Sequence, residues 1–249
     1  MSKRYSNKGY QARKAAEAAA AQPKKNNAAL ITALITVFLG VAIVLTVAIS
    51  IGIASGKGAP EIDMAEIKAE INSASASDFT ETAEVTNYVK ITVKDYGEIV
   101  LRLRPDVAPK SVENFQKLVK EGHYSDKIFH RVIQNFMIQG GGFDTTGKQH
   151  EVASIKGEFS ANGVENNLLH VRGVIYMART NVMDSASNQF FICDATKPHL
   201  DGQYAAFGYV LAGMDVVDAI AAVKTSGGDE NKPLTDVVIE KAVFVNPLK

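Results

Sequence analysis

Two hydrophobic patterns divide the chain. From Ala28 to Ala54 runs a stretch of 27 residues with no charge and no proline. At about 1.5 Å per residue a helix of that length reaches roughly 40 Å, more than the ~30 Å hydrocarbon core of a bilayer, so it predicts a tilted transmembrane helix. A buried core helix of that length would need a polar face. A cleaved signal peptide would carry a shorter apolar region, about 7–15 residues. The pattern therefore favours an uncleaved signal anchor over residues 28–54.

From Asn87 onward the apolar positions alternate instead. Val89, Ile91 and Val93 are followed, after Asp95-Tyr96-Gly97, by Ile99, Leu101 and Leu103. That is the signature of a β-hairpin. Pro109 opens a helical stretch to about Glu121, with Val112, Phe115 and Leu118/Val119 on one face and Gly122 past its end. A second helix fits Met214–Val223. Short apolar runs lie between them at Phe129–Ile133, Phe136–Gln139, Gly173–Ala178, Gln189–Cys193 and Ala205–Val210, and a last strand fits Val237–Val245. Many short strands and two helices predict a mainly β domain, a closed antiparallel barrel.

Four segments result: a polar tail over 1–27, the anchor over 28–54, a stretch of linker composition over 55–86, and the β domain over 87–249. Within the linker, Met64, Ile67 and Ile71 recur at helical spacing and predict a short helix over about 61–71.

The formal net charge of zero hides an asymmetry. Residues 1–27 hold seven basic residues and one acidic, a net of +6, whereas residues 58–249 hold 19 basic and 26 acidic, a net of −7. Basic residues remain on the cytoplasmic side of a membrane. The expectation is a cytoplasmic N-terminus and a domain outside the cell membrane, tethered to the lipid bilayer through residues 28–54. The acidic body argues against nucleic acid as a partner. The single cysteine, Cys193, excludes an internal disulfide and a cysteine-rich metal site, and no cysteine follows the apolar run to take a lipid.

No hydrolase elbow, metalloprotease helix, phosphate loop or dinucleotide fingerprint occurs, and the five histidines show no helical i,i+4 pair. What stands out is Phe129-His130-Arg131-Val132-Ile133-Gln134-Asn135-Phe136-Met137-Ile138-Gln139-Gly140-Gly141. An arginine in an apolar strand needs either a carboxylate partner or a function. His130, its neighbour, points to the opposite face by alternation and reads as structural.

These residues resemble the signature of the cyclophilins, the peptidyl-prolyl cis-trans isomerases, in a bacterial membrane-anchored form. The resemblance continues through Gly173–Thr180, Ser187–Ile192 and Leu200–Gly208, in order, over about residues 87–247. It implies an eight-stranded antiparallel closed β-barrel capped by two α-helices, here preceded by one transmembrane helix. It also implies isomerisation of X-Pro bonds in proline-containing polypeptides, without cofactor or metal. By the same resemblance Arg131 is the catalytic arginine, and Phe136, Met137, Phe191 and Leu200 line the proline pocket. Gln139 and Gln189 stand at its rim; Gln139 either orients Arg131 or makes a simple strand-to-turn hydrogen bond. Ala178 and Arg179 flank the substrate backbone, although the family often has Asn at the latter. His199 occupies a position where many members carry Trp, and Tyr204 replaces a pocket histidine. A module that only binds proline segments, as a chaperone or scaffold, is the alternative; the intact Arg131 favours the enzyme.

Overall fold

The computed structural model describes residues 61–248. The tail over 1–27, the anchor over 28–54 and the first residues of the linker lie outside the described residues. Among those described, no helix is long and apolar enough to cross a membrane.

The hairpin forms where alternation places it. Strand β2 (Tyr88–Val93) pairs with β3 (Gly97–Leu103) in a register that sets Ile91 against Ile99. Helix α2 (Pro109–Lys120) starts at its proline and buries Val112, Phe115, Leu118 and Val119; α3 (Met214–Ala221) buries Val217 and Ile220. Both cover one core, formed with Val89, Ile91, Ile99 and Leu101 from the hairpin. The remaining strands are β4 (Lys127–Ile128), β5 (Arg131–Ile133), β6 (Met137–Gly140), β7 (Val174–Met177), β8 (Phe190–Cys193), β9 (Ala206–Ala212) and β10 (Val238–Pro247). All seven residues of β9 are buried, because the sheet is covered on both faces there.

Two expectations need correction. With β1 (Phe79–Glu81) the sheet has ten strands among the described residues, not eight, and its hydrogen-bonded path is open: β1-β10-β2-β3-β9-β7-β8-β6-β5. The run Phe129–Ile133 is not one strand. Phe129 and His130 belong to no strand: β4, just before them, pairs with β10, and β5, the last three residues of the run, pairs with β6. The chain changes partner at Phe129-His130, so no continuous ladder seals the sheet into a closed barrel.

The second correction concerns the linker. Among the described residues three α-helices are present: the two that cover the core and, in the stretch of linker composition, α1 (Met64–Glu70), inside the span over about 61–71 that the spacing of Met64, Ile67 and Ile71 predicts. Asp63 caps it, accepting from Ala65 N at 2.8 Å and Glu66 N at 3.3 Å. After it, β1 (Phe79–Glu81) adds to the edge of β10. The segment acts as a strap over the second face of the sheet, where Ile67 and Phe79 join a core with Val174, Tyr176, Phe191 and Tyr209. Ile71 lies so close to Gly173 that a Cβ there would sit 2.6 Å from its Cγ2; Gly173 also has φ +90°, so only glycine fits. Asn72 donates its N–H to Val210 and accepts from Met214 N, which fastens the strap to β9 and to the start of α3.

Charge fixes the strap as well. The Glu70 carboxylate accepts from Arg102 Nη1 at 2.8 and 2.6 Å and from the Tyr209 hydroxyl. Burial works to raise the Glu70 pKa, but the Tyr209 and Arg102 bonds outweigh it and hold the group below its usual value.

Ile67 is only 2% exposed, so its truncation measures how firmly the strap is seated. Ile67→Ala is expected to destabilise the protein by about 2–4 kcal/mol in urea unfolding. A change below about 0.5 kcal/mol would mean that the strap is not part of the cooperative unit.

Candidate active site

Antiparallel register assembles the site from residues distant in sequence. Arg131 on β5 opposes Gln139 on β6, Gln139 opposes Phe191 on β8, and Phe191 opposes Tyr176 on β7. Directly opposed residues share a face, so these four side chains form one row across the sheet. Met137 lies two residues along β6 from Gln139, and Gln189 two residues before Phe191, just ahead of β8, so both flank that row. The turn before β6 brings in Phe136. Asn135 adopts φ +60° there, and its N–H is held by Asp194 Oδ2 at 2.8 Å. Leu200 and Tyr204 come from the 3-10 turn Pro198–Leu200 and the loop after it.

A small cavity of about 100 Å³ results, lined by Arg131, Phe136, Met137, Gln139, Ala178, Arg179, Phe191, Leu200 and Tyr204. All nine are residues that the sequence puts forward. Gln189 stands outside the lining but is tied to it, since it accepts from Gln139 Nε2 at 2.9 Å. His199 is not brought in: it is exposed on the 3-10 turn and does not line the cavity.

The walls are rings held by further rings. Phe191 meets Tyr204 edge-on, with centroids 5.4 Å apart at 90°. Tyr176 stacks behind Phe191 at 5.0 Å, and His170 stacks on Tyr176 at 3.9 Å. His170 Nδ1 lies 3.1 Å from Asp201, whose carboxylate also accepts the His170 N–H. Burial, opposed by Asp201, keeps His170 below its ordinary pKa.

The two arginines differ in how far they are committed. Arg179 is the more firmly held. Its guanidinium lies 4.9 Å from the Phe159 ring and 4.8 Å from that of Tyr204, and donates to the Gln203 and Thr180 carbonyls. It is a staple that positions Tyr204. Arg131 is held only lightly: Nη1 reaches Gln139 Oε1 at 3.5 Å and Nε reaches the Asp229 carbonyl at 3.4 Å. No carboxylate among the described residues lies within ion-pair distance of it. A guanidinium has five N–H donors. Two are used, both in long bonds, and three remain for a ligand beside an apolar cavity.

His130 departs from its expected place. It sits at the break between β4 and β5, where alternation along one strand no longer applies, and its ring packs 4.6 Å from Phe143. Burial, then the Arg131 charge, lowers its pKa to about 4. Its Nδ1 is buried without a partner. Cys193 lies within the second core, where burial pushes its thiol up to about 12, far from reactive. Among the described residues no group of three or more His, Cys, Asp or Glu gathers as a metal site. Phe159, Tyr176 and the Asp229 carbonyl were not singled out. Tyr176 lies inside a quoted motif, but Phe159 and a backbone carbonyl leave no pattern in a sequence.

Residues 88–244 match the family described as cyclophilin type peptidyl-prolyl cis-trans isomerase/CLD. The chain is 48% identical over 151 residues to a peptidyl-prolyl cis-trans isomerase of Acinetobacter baylyi, covering 57% of this chain and 78% of that one. It is 42% identical over 156 residues to peptidyl-prolyl cis-trans isomerase B of Escherichia coli, covering 59% and 93%. A cyclophilin-type isomerase of Cryptosporidium parvum, crystallised in the presence of the dipeptide Ala-Pro, superposes with a TM-score of 0.53 at 26% identity, over 63% of this chain and 98% of that one.

The histidines set an acid limit. The folded pKa of His130 lies below its unfolded value of about 6.5, so the unfolded chain binds more protons between the two. Its contribution is complete above pH ~6.5 and is lost as pH falls toward 4; His170 acts in the same direction. Urea unfolding at pH 7, 5.5 and 4 should show stability falling, with roughly 2 kcal/mol traceable to His130. His130→Gln should flatten the dependence by that amount, and an unchanged slope would remove His130 from the account.

Proposed function

The chain belongs to the cyclophilin-type peptidyl-prolyl cis-trans isomerase family, and from that premise we propose that Arg131 and the adjoining cavity isomerise X-Pro bonds in exported polypeptides at the membrane. Resonance holds the X-Pro amide planar against a barrier of ~18–20 kcal/mol. No bond breaks, so neither a nucleophile nor a metal is required. Rate comes from binding the twisted amide more tightly than the planar one. Twisting makes the proline nitrogen pyramidal and basic, and an N–H donor placed near it stabilises that form.

The observation that carries this reading is the uncommitted guanidinium of Arg131 at the edge of a cavity walled by Phe136, Met137, Phe191 and Leu200. The apolar wall takes the proline ring. It also removes water, which strengthens each donor. Gln139 keeps Arg131 in register, and Gln189 keeps Gln139 in turn.

The membrane part of the proposal rests on the uncharged run 28–54 and on the +6 tail before it. It puts residues 1–27 in the cytoplasm and the catalytic domain outside, where chains emerge unfolded and X-Pro isomerisation is slow enough to limit folding. Protease added to cells with an exposed membrane surface is expected to remove the domain while a cytoplasmic marker survives. Protection of the domain beside a digested external control would overturn this topology.

Arg131→Ala is expected to lower kcat and kcat/KM together by about 10²–10³, with a smaller change in peptide affinity. Arg131→Lys keeps the charge but not the planar fork and should restore little. Phe136→Ala should weaken binding as well as rate. A folded Arg131→Ala protein that turns over prolyl peptides at the parental rate would refute the assignment. Peptide binding without turnover in the parent would favour a binding module.

A further inference from the structure

A second cavity, of about 470 Å³, shares Arg131 with the proline cavity. Its lining is otherwise Ile128, His130, Phe143, Gly147, Gln189, Glu230 and Lys232, and none of Phe136, Met137, Phe191, Leu200 or Tyr204 belongs to it. The two hollows are therefore distinct and meet at the guanidinium. Both walls of the larger one are firmly built. On one side Asp144 Oδ1 accepts from Thr146 N, Thr146 Oγ1 and Lys148 N, which ties the loop carrying Gly147. On the other, Val132 N–H donates to the Asn231 carbonyl at 2.9 Å and Ser226 N–H to the Lys232 carbonyl at 2.8 Å, which ties the loop carrying Glu230 and Lys232. The hollow opens beside Arg131, at the edge of the proline cavity.

Its chemistry limits what enters. Ile128, the Phe143 ring and the His130 ring make an apolar, largely aromatic surface. With a pKa of about 4, His130 is uncharged near neutral pH. A carboxylate or an ammonium entering would lose its hydration over those rings, and because the lining carries charges of both signs, Arg131 and Lys232 beside Glu230, each would meet repulsion as well as attraction. An aromatic side chain meets neither penalty. It gains ring contacts with Phe143 and His130, and its face is open to the cations at the rim.

We infer that this cavity is a second substrate subsite, which takes an aromatic side chain of a residue flanking the proline. The inference rests on the isomerase reading, because the substrate must first seat its proline beside Arg131. It makes the enzyme selective for X-Pro segments with Phe or Tyr at one fixed offset.

The test uses full-length protein and a set of Ala-Pro-Ala-type peptides with Phe placed in turn at each position on either side of the proline. Exchange NMR gives kcat/KM and calorimetry gives Kd. Phe at one position should raise kcat/KM by about tenfold over the all-Ala peptide, with Leu giving less and Glu or Lys nothing. Phe143→Ala should bring the Phe-to-Ala ratio near one. Intermolecular NOEs from the peptide ring to the Ile128 methyls are expected in the parent, which keeps the test decisive even if the variant does not fold. A flat positional profile in both kcat/KM and Kd overturns the inference, as does a gain that survives Phe143→Ala or NOEs to Phe191 in place of Ile128. If no peptide is turned over but Kd shows the same positional gain, the subsite stands and the isomerase reading fails.

Discussion

A guanidinium without a carboxylate partner is the condition on which this site depends. Arginine in a part-buried strand is usually paired, because an unpaired charge loses hydration without compensation. Arg131 avoids the full penalty by remaining partly accessible and by touching two neutral acceptors, Gln139 and the Asp229 carbonyl, at long range. A carboxylate in either place would satisfy it and use the donors that the proposed mechanism assigns to a twisted amide. The polar surroundings are therefore amides and carbonyls: Gln139 holds the arginine, and Gln189 holds Gln139.

The rest of the fold maintains that arrangement. Register does most of it, since a slip of one residue between β5 and β6 would turn Arg131 away from Gln139 and the cavity. The rings behind the pocket do the remainder. Phe191 is backed by Tyr176, Tyr176 by His170, and His170 is fixed by Asp201, so the apolar wall has little room to yield. The same face of the sheet would be exposed further along. There the strap covers it with Ile67 and Phe79 and is locked by the Glu70–Arg102 pair.

Much of this was legible in the residues themselves. Alternation around Asp95-Tyr96-Gly97 located the first hairpin, and Pro109 with its apolar stripe located α2, because both are local patterns. The cavity-lining residues were legible through motif resemblance, not through periodicity, since register between distant strands leaves no local trace. The break at Phe129-His130 is hidden because the apolar run continues through it, while β4 before it and β5 after it pair with strands far apart in sequence. The strap was read as linker because its main anchors, Ile67, Ile71 and Phe79, stand singly among small polar residues. Arg179 was placed beside the substrate, and its role as a staple depends on Phe159, in a stretch with no pattern. His199 shares the neighbourhood of Leu200 in sequence, yet the tight 3-10 turn leaves it exposed.

The central claim is that catalysis depends on donors that Arg131 has not committed. Gln139→Glu tests it most directly, because it changes one atom's chemistry, keeps the arginine, and places a carboxylate opposite it on the same rung. Turnover of a prolyl peptide should be measured by exchange NMR against pH, with peptide affinity measured in parallel. The account predicts a loss of kcat of tenfold or more at pH 7 with affinity largely kept, and partial recovery as pH falls and the introduced carboxyl protonates. A variant that turns over peptide at the parental rate, with its arginine shown to be paired, would contradict it.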